Sequence, residues 1–154
     1  MTTALTARNS RCSIARTLEM IGDKWTLLVV REAFWGRTRF ADFRERLGVA
    51  PDVLTDRLGK LVAAGVFETR AYRAVGERAR SEYILTDIGR ELLPVLASLA
   101  RWGDANRATG FGPAAEFTDA RTGGVLRLAF LNDDEKEIDV KHVALARGPG
   151  ALTA

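Results

Sequence analysis

Residues 39–65 read RFADFRERLGVAPDVLTDRLGKLVAAG, a stretch that predicts two short helices joined by a tight turn. The first helix is apolar on one face and ends at Gly48. The second begins at Pro51, because the first turn of a helix tolerates proline, and it ends at Gly65. Its leucines recur at helical spacing and are expected to face inward, at Leu54, Leu58 and Leu61. The second helix of such a pair can enter the major groove of DNA.

Two further helices are predicted upstream of this pair. The first covers residues 13–21, with Ser13 as the candidate N-cap and Gly22 as its end. Asp23 caps the next helix, which runs through KWTLLVVREAFWG to Gly36. Apolar residues nearly surround the axis of this second helix, so we expect it to be the central helix of the core.

Downstream, residues 66–75 and 81–86 predict two strands joined by a basic loop. A long amphipathic helix then begins at Thr86 or Asp87 and extends to about residue 105, with a kink expected at Pro94. The whole order is helix, helix, short helix, turn, helix, basic hairpin, helix. It predicts an α+β fold with a winged helix-turn-helix core, an N-terminal helix, a long C-terminal dimerisation helix and a C-terminal β-hairpin extension.

We predict five segments in the chain. They are a flexible N-terminal arm at residues 1–11, the DNA-binding and dimerisation domain at 12–107, a linker at 108–124, a β-hairpin extension at 125–147 and a tail at 148–154. The linker is suggested by four of the 14 glycines of the chain. The hairpin is suggested by two apolar runs on either side of the acidic turn NDDEK.

Composition excludes several classes of function. The chain has one cysteine and one histidine among its 154 residues, which is too few for a zinc site or a His-based catalytic set. We therefore predict no enzyme activity, no metal and no cofactor. No apolar run approaches the length of a membrane span or a signal peptide, so a cytoplasmic protein with no membrane partner is expected. Residues 1–107 hold 18 basic and 13 acidic side chains, whereas 108–154 hold five and seven, so the basic part is the predicted winged domain.

Four motifs in fixed order give a more specific indication. They are CSIARTLEMIGDKWTLLVVREAFWG at 12–36, TRFADF at 38–43, VLTDRLGKLVAAGV at 53–66 and RSEYILTDIGREL at 80–92. Together they resemble the HxlR-type transcriptional regulators over roughly residues 12–105. The resemblance implies that the helix beginning near Pro51 is the recognition helix, that the hairpin is the wing, and that the flanking helices form a homodimer. It also implies that the cysteine matching Cys12 can sense oxidants or electrophiles, as in some members.

The sequence departs from that family pattern in two places. The family wing usually carries Pro-x-Arg before its Glu-Tyr, but here the stretch YRAVGERARSEY lacks proline and is two residues longer. The C-terminal segment resembles the extension of some members, yet it lacks the cysteine pairs found there. Metal binding by that extension is therefore not expected.

The candidate DNA contacts lie on the predicted recognition helix, the helix before it and the wing. On a helical wheel, the face opposite the leucines presents Asp52, Asp56, Gly59 and Lys60, with Thr55 and Arg57 at its edges. Arg57 could bind guanine with two hydrogen bonds, and Thr55 could meet a phosphate or a thymine methyl. Either aspartate could accept from cytosine, or could simply favour the helix N-terminus and lie off the DNA. The full set of candidates is Arg39, Arg44, Pro51, Asp52, Thr55, Asp56, Arg57, Lys60, Arg70, Arg73, Arg78 and Arg80.

The first and last helices carry more apolar surface than a core of about 100 residues requires, which predicts a homodimer. The candidate interface residues are Ile14, Leu18, Leu92, Leu96, Leu99 and Trp102. Cys12 is the candidate sensor thiol, because a helix start and the neighbouring Arg11 and Arg16 favour the reactive thiolate. The alternative is an inert cysteine.

Two functional alternatives stay open at this point. The favoured one is a dimeric, sequence-specific DNA-binding regulator, with an inverted-repeat operator as its partner and a small-molecule effector as a further candidate partner. The other is a winged-helix module that binds a protein and has lost DNA binding. The aspartates on the recognition face weaken the first hypothesis, and the net charge of +5 over residues 1–107 favours it.

Overall fold

The structure, a computed structural model, describes residues 10–73 and 79–150. Its elements are α1 (Ser13–Ile21), α2 (Lys24–Phe34), α3 (Phe40–Leu47), α4 (Pro51–Ala63), β1 (Phe67–Tyr72), β2 (Arg80–Leu85), α5 (Asp87–Arg90), α6 (Leu93–Asn106), β3 (Phe130–Leu131) and β4 (Glu137–Ile138). A short 3₁₀ turn follows at Val140–His142. The chain divides into two compact units, one holding the described residues up to Leu92 and the last residues from Pro149, the other Leu93–Gly148.

The first unit is the predicted α+β winged helix-turn-helix. Its central helix is α2, which packs against α1, α3, α4 and β2. The predicted inward face of α4 is confirmed, since its three leucines are fully buried, and Phe43 of α3 is buried beside Phe67 of β1. Gly48 ends α3 with a φ of 60°, a backbone conformation that glycine adopts at little cost.

The wing is a two-stranded antiparallel hairpin that an isolated β-bridge joins to the segment before α3. In β1 and β2, Phe67 pairs with Leu85 and Tyr72 with Arg80 at the two ends of the ladder. Residues 38–39 extend this sheet, because the Tyr83 N–H donates to the Thr38 carbonyl at 2.7 Å and Arg39 bridges Glu82. The helix-turn-helix is thereby joined to the wing at the start of α3.

Two details of the predicted helices are wrong. The N-cap of α1 is Cys12, whose carbonyl accepts from the Arg16 N–H, and Ser13 already has helical geometry. The long helix predicted after Thr86 is two helices, α5 and α6, separated at residues 91–92. Proline has no N–H and clashes with the carbonyl four residues earlier, so Pro94 is tolerated only in the first turn of the new helix.

The second unit contains α6 and a small β structure. The hairpin predicted over residues 125–147 exists only at its centre, where Phe130 pairs with Ile138 and Leu131 with Glu137. A separate bridge joins Thr118, in the stretch predicted as a linker, to Val125, the first residue of the predicted hairpin extension. The predicted strands were too long, because apolar residues that alternate along a chain need a packed face to form a sheet and most of these are exposed. The proposed domain boundaries at residues 107 and 124 stay predictions.

Candidate nucleic-acid interface

The outer face of α4 is the surface on which the candidate DNA contacts come together. Asp52, Thr55, Asp56, Gly59 and Lys60 are all exposed, opposite the buried leucines. Pro51 is exposed at the first position of the helix. A backbone N–H at that position would have no intrahelical acceptor, so the N–H that proline lacks costs no hydrogen bond. The Thr55 hydroxyl donates to the Pro51 carbonyl at 2.8 Å, so its methyl group and oxygen lone pairs remain for a ligand.

Arg57 lies apart from this outer face, because its guanidinium is turned toward α2. Its Nε and Nη2 donate to the two carboxylate oxygens of Asp23 at 2.9 and 3.2 Å, and its Nη1 donates to Asp56. The Arg57 side chain is 21% exposed. The predicted guanine contact stays a prediction, and it now has to compete with a two-bond ion pair inside the protein.

Asp23 therefore does two things at the start of α2. One of its oxygens accepts from the Trp25 N–H at 2.9 Å and caps the helix, as predicted. The same carboxylate binds Arg57 of α4. Partial desolvation raises the pKa of Asp23, but the hydrogen bonds from Arg57 and from the Trp25 N–H outweigh it, and the net pKa lies below 3.8. The cap was predictable from sequence, whereas nothing in the sequence near Asp23 points to its partner 34 residues away.

The negative charge of Asp56 is balanced by its neighbours on α4. Lys60 Nζ lies 2.8 Å from Asp56 Oδ2, at the i,i+4 spacing, and Arg57 contacts the same oxygen. The hydrogen bond from Lys60 is the largest cause of a lowered pKa for Asp56, so this carboxyl stays ionised and paired. Asp52 lies in the first turn of the helix, where a carboxylate interacts favourably with the helix dipole.

The arginines before the turn occupy different surroundings. The Arg39 guanidinium stacks over the ring of Tyr72 at 4.4 Å, so it ties the start of α3 to β1. Arg44 is exposed on α3, one turn before its end. Both side chains can reach a phosphate only if they lie on the DNA side of the molecule, which stays a prediction.

The wing brings several of its predicted arginines onto one face. Arg70 pairs with Glu82 across the ladder, and Tyr72 pairs with Arg80, so all four project from the same side. Arg39 bridges Glu82 on the neighbouring strand. Arg73 follows directly after β1, and Arg78 lies outside the described residues. Together with Arg39, this basic wing face carries three arginines and two carboxylates, Glu68 and Glu82.

The predicted interface residues of the first unit are exposed. On α1, Ile14 is 62% exposed and Leu18 is 57% exposed, whereas Ile21 is buried in the core. Cys12 is a free, exposed cysteine at the start of this helix, and its side chain makes no capping hydrogen bond. Arg16 donates to the Ser13 hydroxyl at 3.2 Å.

In α6 the predicted interface residues fall into two groups. Leu99, near the middle of the helix, is 50% exposed, and Trp102, one turn later, is 60% exposed. Leu96 and Leu92, which precedes the helix, are partly buried. Large exposed apolar side chains are thus present on both of the helices predicted for dimerisation, α1 and α6.

Two further features of the described residues bear on other functions. No three His, Cys, Asp or Glu side chains in the described ranges come together as a metal site would require. Nor does any described helix combine the length and the apolar character needed to cross a membrane.

Comparison with known proteins identifies the relatives of this fold. The HxlR-like helix-turn-helix family matches residues 20–110. An uncharacterized HTH-type transcriptional regulator of Mycobacterium tuberculosis is 36% identical over 140 residues, which cover 90% of this chain and 87% of that protein. The match therefore includes most of the second unit as well as the winged domain.

Two solved structures of transcriptional regulators are similar to this chain in fold. The crystal structure of PA1607, a candidate transcription factor, is similar with a TM-score of 0.74 and 33% identity, covering 93% of this chain and 100% of that chain. The reduced form of the redox regulator HypR is similar with a TM-score of 0.55 and 33% identity, covering 61% of this chain and 92% of that chain.

Proposed function

Since the chain belongs to the HxlR-like helix-turn-helix family, we propose that it is a transcriptional regulator that binds a specific DNA operator as a homodimer. The observation that carries the DNA-binding part is the outer face of α4. It is exposed along its length and is held by a fully buried leucine row, and the adjoining hairpin carries arginines on one face. A helix mounted in this way can enter the major groove while the wing contacts the adjacent backbone.

Within this proposal the residues of α4 have different tasks. Thr55 and Lys60 are the contacts expected to reach DNA, because their groups are exposed on or beside the outer face. The pairing of Asp56 with Lys60 and Arg57 reduces the repulsion that a lone carboxylate would exert on phosphates. Arg57 is expected to act chiefly as a positioning residue, since its bond to Asp23 fixes α4 against the start of α2.

A gel-shift titration with DNA from upstream of its own gene tests the proposal. Lys60→Ala should weaken binding to every sequence and flatten the salt dependence by about one unit of slope. Thr55→Val keeps the shape of the side chain but removes the hydroxyl, and it should change the preference among operator variants. Arg107→Gln removes an exposed guanidinium beyond α6 and is the control that should leave binding unchanged.

Absence of any shift with the wild-type protein would favour the alternative, a winged-helix module that binds another protein. That alternative predicts that Lys60→Ala and Thr55→Val have no DNA phenotype at any salt concentration. The observation that favours this alternative is the presence of aspartates on the outer face of α4, because carboxylates repel the phosphates of DNA.

Thiol sensing is a finer proposal within the same function. Cys12 is exposed at the start of α1, and the similar protein HypR is a redox regulator. An adduct or an intersubunit disulfide at this position could rotate the two recognition helices of a dimer and spoil their fit to successive grooves. Diamide should then change the DNA affinity of the wild type and leave Cys12→Ser unaffected. Equal responses of the two proteins would exclude sensing through Cys12.

A further inference from the structure

A cavity of about 290 Å³ lies within the first unit, at the end of α2 and beside β2. Its walls include Phe34 of α2, Thr38 of the segment before α3, and Tyr83 and Leu85 of β2. Two arginines complete the lining, Arg37 before α3 and Arg90 at the end of α5. No residue of α4 and none of the arginines on the basic wing face contributes to it.

The two arginines bring positive charge to this cavity without an acidic partner among the described residues. Within the described ranges, no ion pair or side-chain hydrogen bond involves Arg37 or Arg90. Two carboxylates on the neighbouring segments have partners other than Arg37 and Arg90. Glu32 is buried and binds Arg31 at 2.6 Å, and Glu82 accepts from the Thr38 hydroxyl at 3.2 Å. The charge of the cavity is therefore available for an anion from outside.

The rest of the lining defines what kind of anion fits. Phe34 and Leu85 supply apolar wall, and the volume is just below the usual range for drug-sized ligands, so only a small molecule fits. A guanidinium binds a carboxylate through paired hydrogen bonds, while an aromatic or aliphatic body replaces water from the apolar wall. A fully hydrated ion such as phosphate would gain nothing from that wall.

We propose that this cavity binds a small organic carboxylate with a single aromatic ring, its carboxylate held by Arg37 and Arg90. The cavity lies between the end of α2, the segment that leads into α3, and β2, so a bound ligand would contact both the approach to the helix-turn-helix and the wing. This inference rests on the proposed function, because a ligand bound in the winged domain is an effector only if that domain regulates transcription.

Benzoate is a suitable probe, with acetate supplying the carboxylate alone and benzyl alcohol the ring alone. In an amide NMR titration of the full chain, benzoate should give saturable shifts at millimolar concentration. The largest should fall on amides of the cavity lining such as Gly36, Thr38 and Leu85. Acetate and benzyl alcohol should each give much weaker effects on the same amides.

The variant Arg37→Gln/Arg90→Gln should lower benzoate affinity at least about tenfold, because it removes two charge-assisted hydrogen-bonding groups. Arg107→Gln, which removes an exposed guanidinium far along the chain, should bind benzoate like the wild type. The proposal is overturned if benzoate produces no saturable shifts, if the shifts lie away from the cavity, or if the double variant binds equally well. Gel shifts on the same preparations separate this result from the proposed function, since DNA binding retained without benzoate binding refutes only the effector site.

Discussion

At the residue scale, the Asp23–Arg57 ion pair shows how one carboxylate can join two helices that are far apart in sequence. Asp23 begins α2 and Arg57 lies in the middle of α4, and the two side chains meet through two hydrogen bonds. Helix α4 is thus fixed by a polar contact in addition to its leucine row. Both partners are partly exposed, so the energy of the pair is modest.

A double-mutant cycle on this pair should give a coupling of about 0.5–1 kcal/mol, the upper part of the range for partly exposed ion pairs. Asp23→Asn is the better single variant, because asparagine retains the helix cap while the charge is lost. Arg57→Ala removes the partner. Urea unfolding of the wild type, both single variants and the double variant provides the measurement. A coupling indistinguishable from zero would mean that the pair does not hold α4 in solution.

The same carboxylate should give stability a defined pH dependence. The pKa of Asp23 in the folded protein lies below 3.8, so its ionised form is favoured by folding. Its contribution is fully present above that value and is lost as the pH falls through the lower, folded pKa. The stability difference between wild type and Asp23→Asn should therefore shrink between pH 7 and about pH 3. Urea midpoints of the two proteins at both pH values test this, and a constant difference would contradict it.

The sequence predicted the position of a candidate-site residue only where that position depends on a single helix. The outward positions of Asp52, Asp56 and Lys60 follow from the helical wheel of α4 alone, and the structure places them there. The orientation of the Arg57 side chain could not be predicted from that wheel, because it depends on the carboxylate of Asp23 at the start of another helix. Tertiary ion pairs of this kind leave no periodic signal in a sequence.

At the element scale, the helices were predictable where glycine and proline mark their ends. Gly48 and Pro51 define the turn between α3 and α4 in both the sequence and the structure. The sequence does not reveal the division between α5 and α6, because the apolar pattern continues across it and Pro94 is compatible with a kink in one long helix. The C-terminal strands were overestimated, since alternation alone does not supply a packing partner.

Helix α4 contains a glycine that lowers the stability of the helix. Gly59 lies in the interior of α4, and a Cβ there would meet nothing within 4 Å. Glycine in a helix interior costs roughly 0.5–1 kcal/mol relative to alanine, and no close contact among the described residues requires it here. On a recognition helix, the absence of a side chain would let the surface of the DNA approach the backbone.

Gly59→Ala should therefore raise stability by about 0.5–1 kcal/mol while weakening DNA binding. Gly103→Ala is the matched control, since Gly103 lies in α6 and also has open space where a methyl group would be added. It should give a similar gain in urea unfolding with unchanged gel shifts. If Gly59→Ala binds DNA as tightly as the wild type, the outer face of α4 is not in close contact with DNA.

At the scale of the whole molecule, the exposed apolar side chains are the observation from which a homodimer is predicted. Ile14 and Leu18 of α1 are more than half exposed, and so is Trp102 of α6, although each would bury well in a core. Clustered apolar surface of this kind on a helix marks an interface. A two-fold axis would bring the same helix of each copy together and give two recognition helices for an inverted repeat.

We predict that the protein in solution has twice the 16.9 kDa mass of the chain. Leu18→Glu places a charge in the apolar stripe of α1, and desolvating that charge would cost more than the interface can compensate. Light scattering should therefore show a shift of this variant toward the mass of one chain, with its circular dichroism retained. Arg107→Glu changes the net charge by more while leaving α1 intact, and it should stay dimeric. The Leu18→Glu protein should also lose operator binding, because one recognition helix cannot occupy two half-sites. A wild type that scatters as a single chain at micromolar concentration would remove the basis for an inverted-repeat operator.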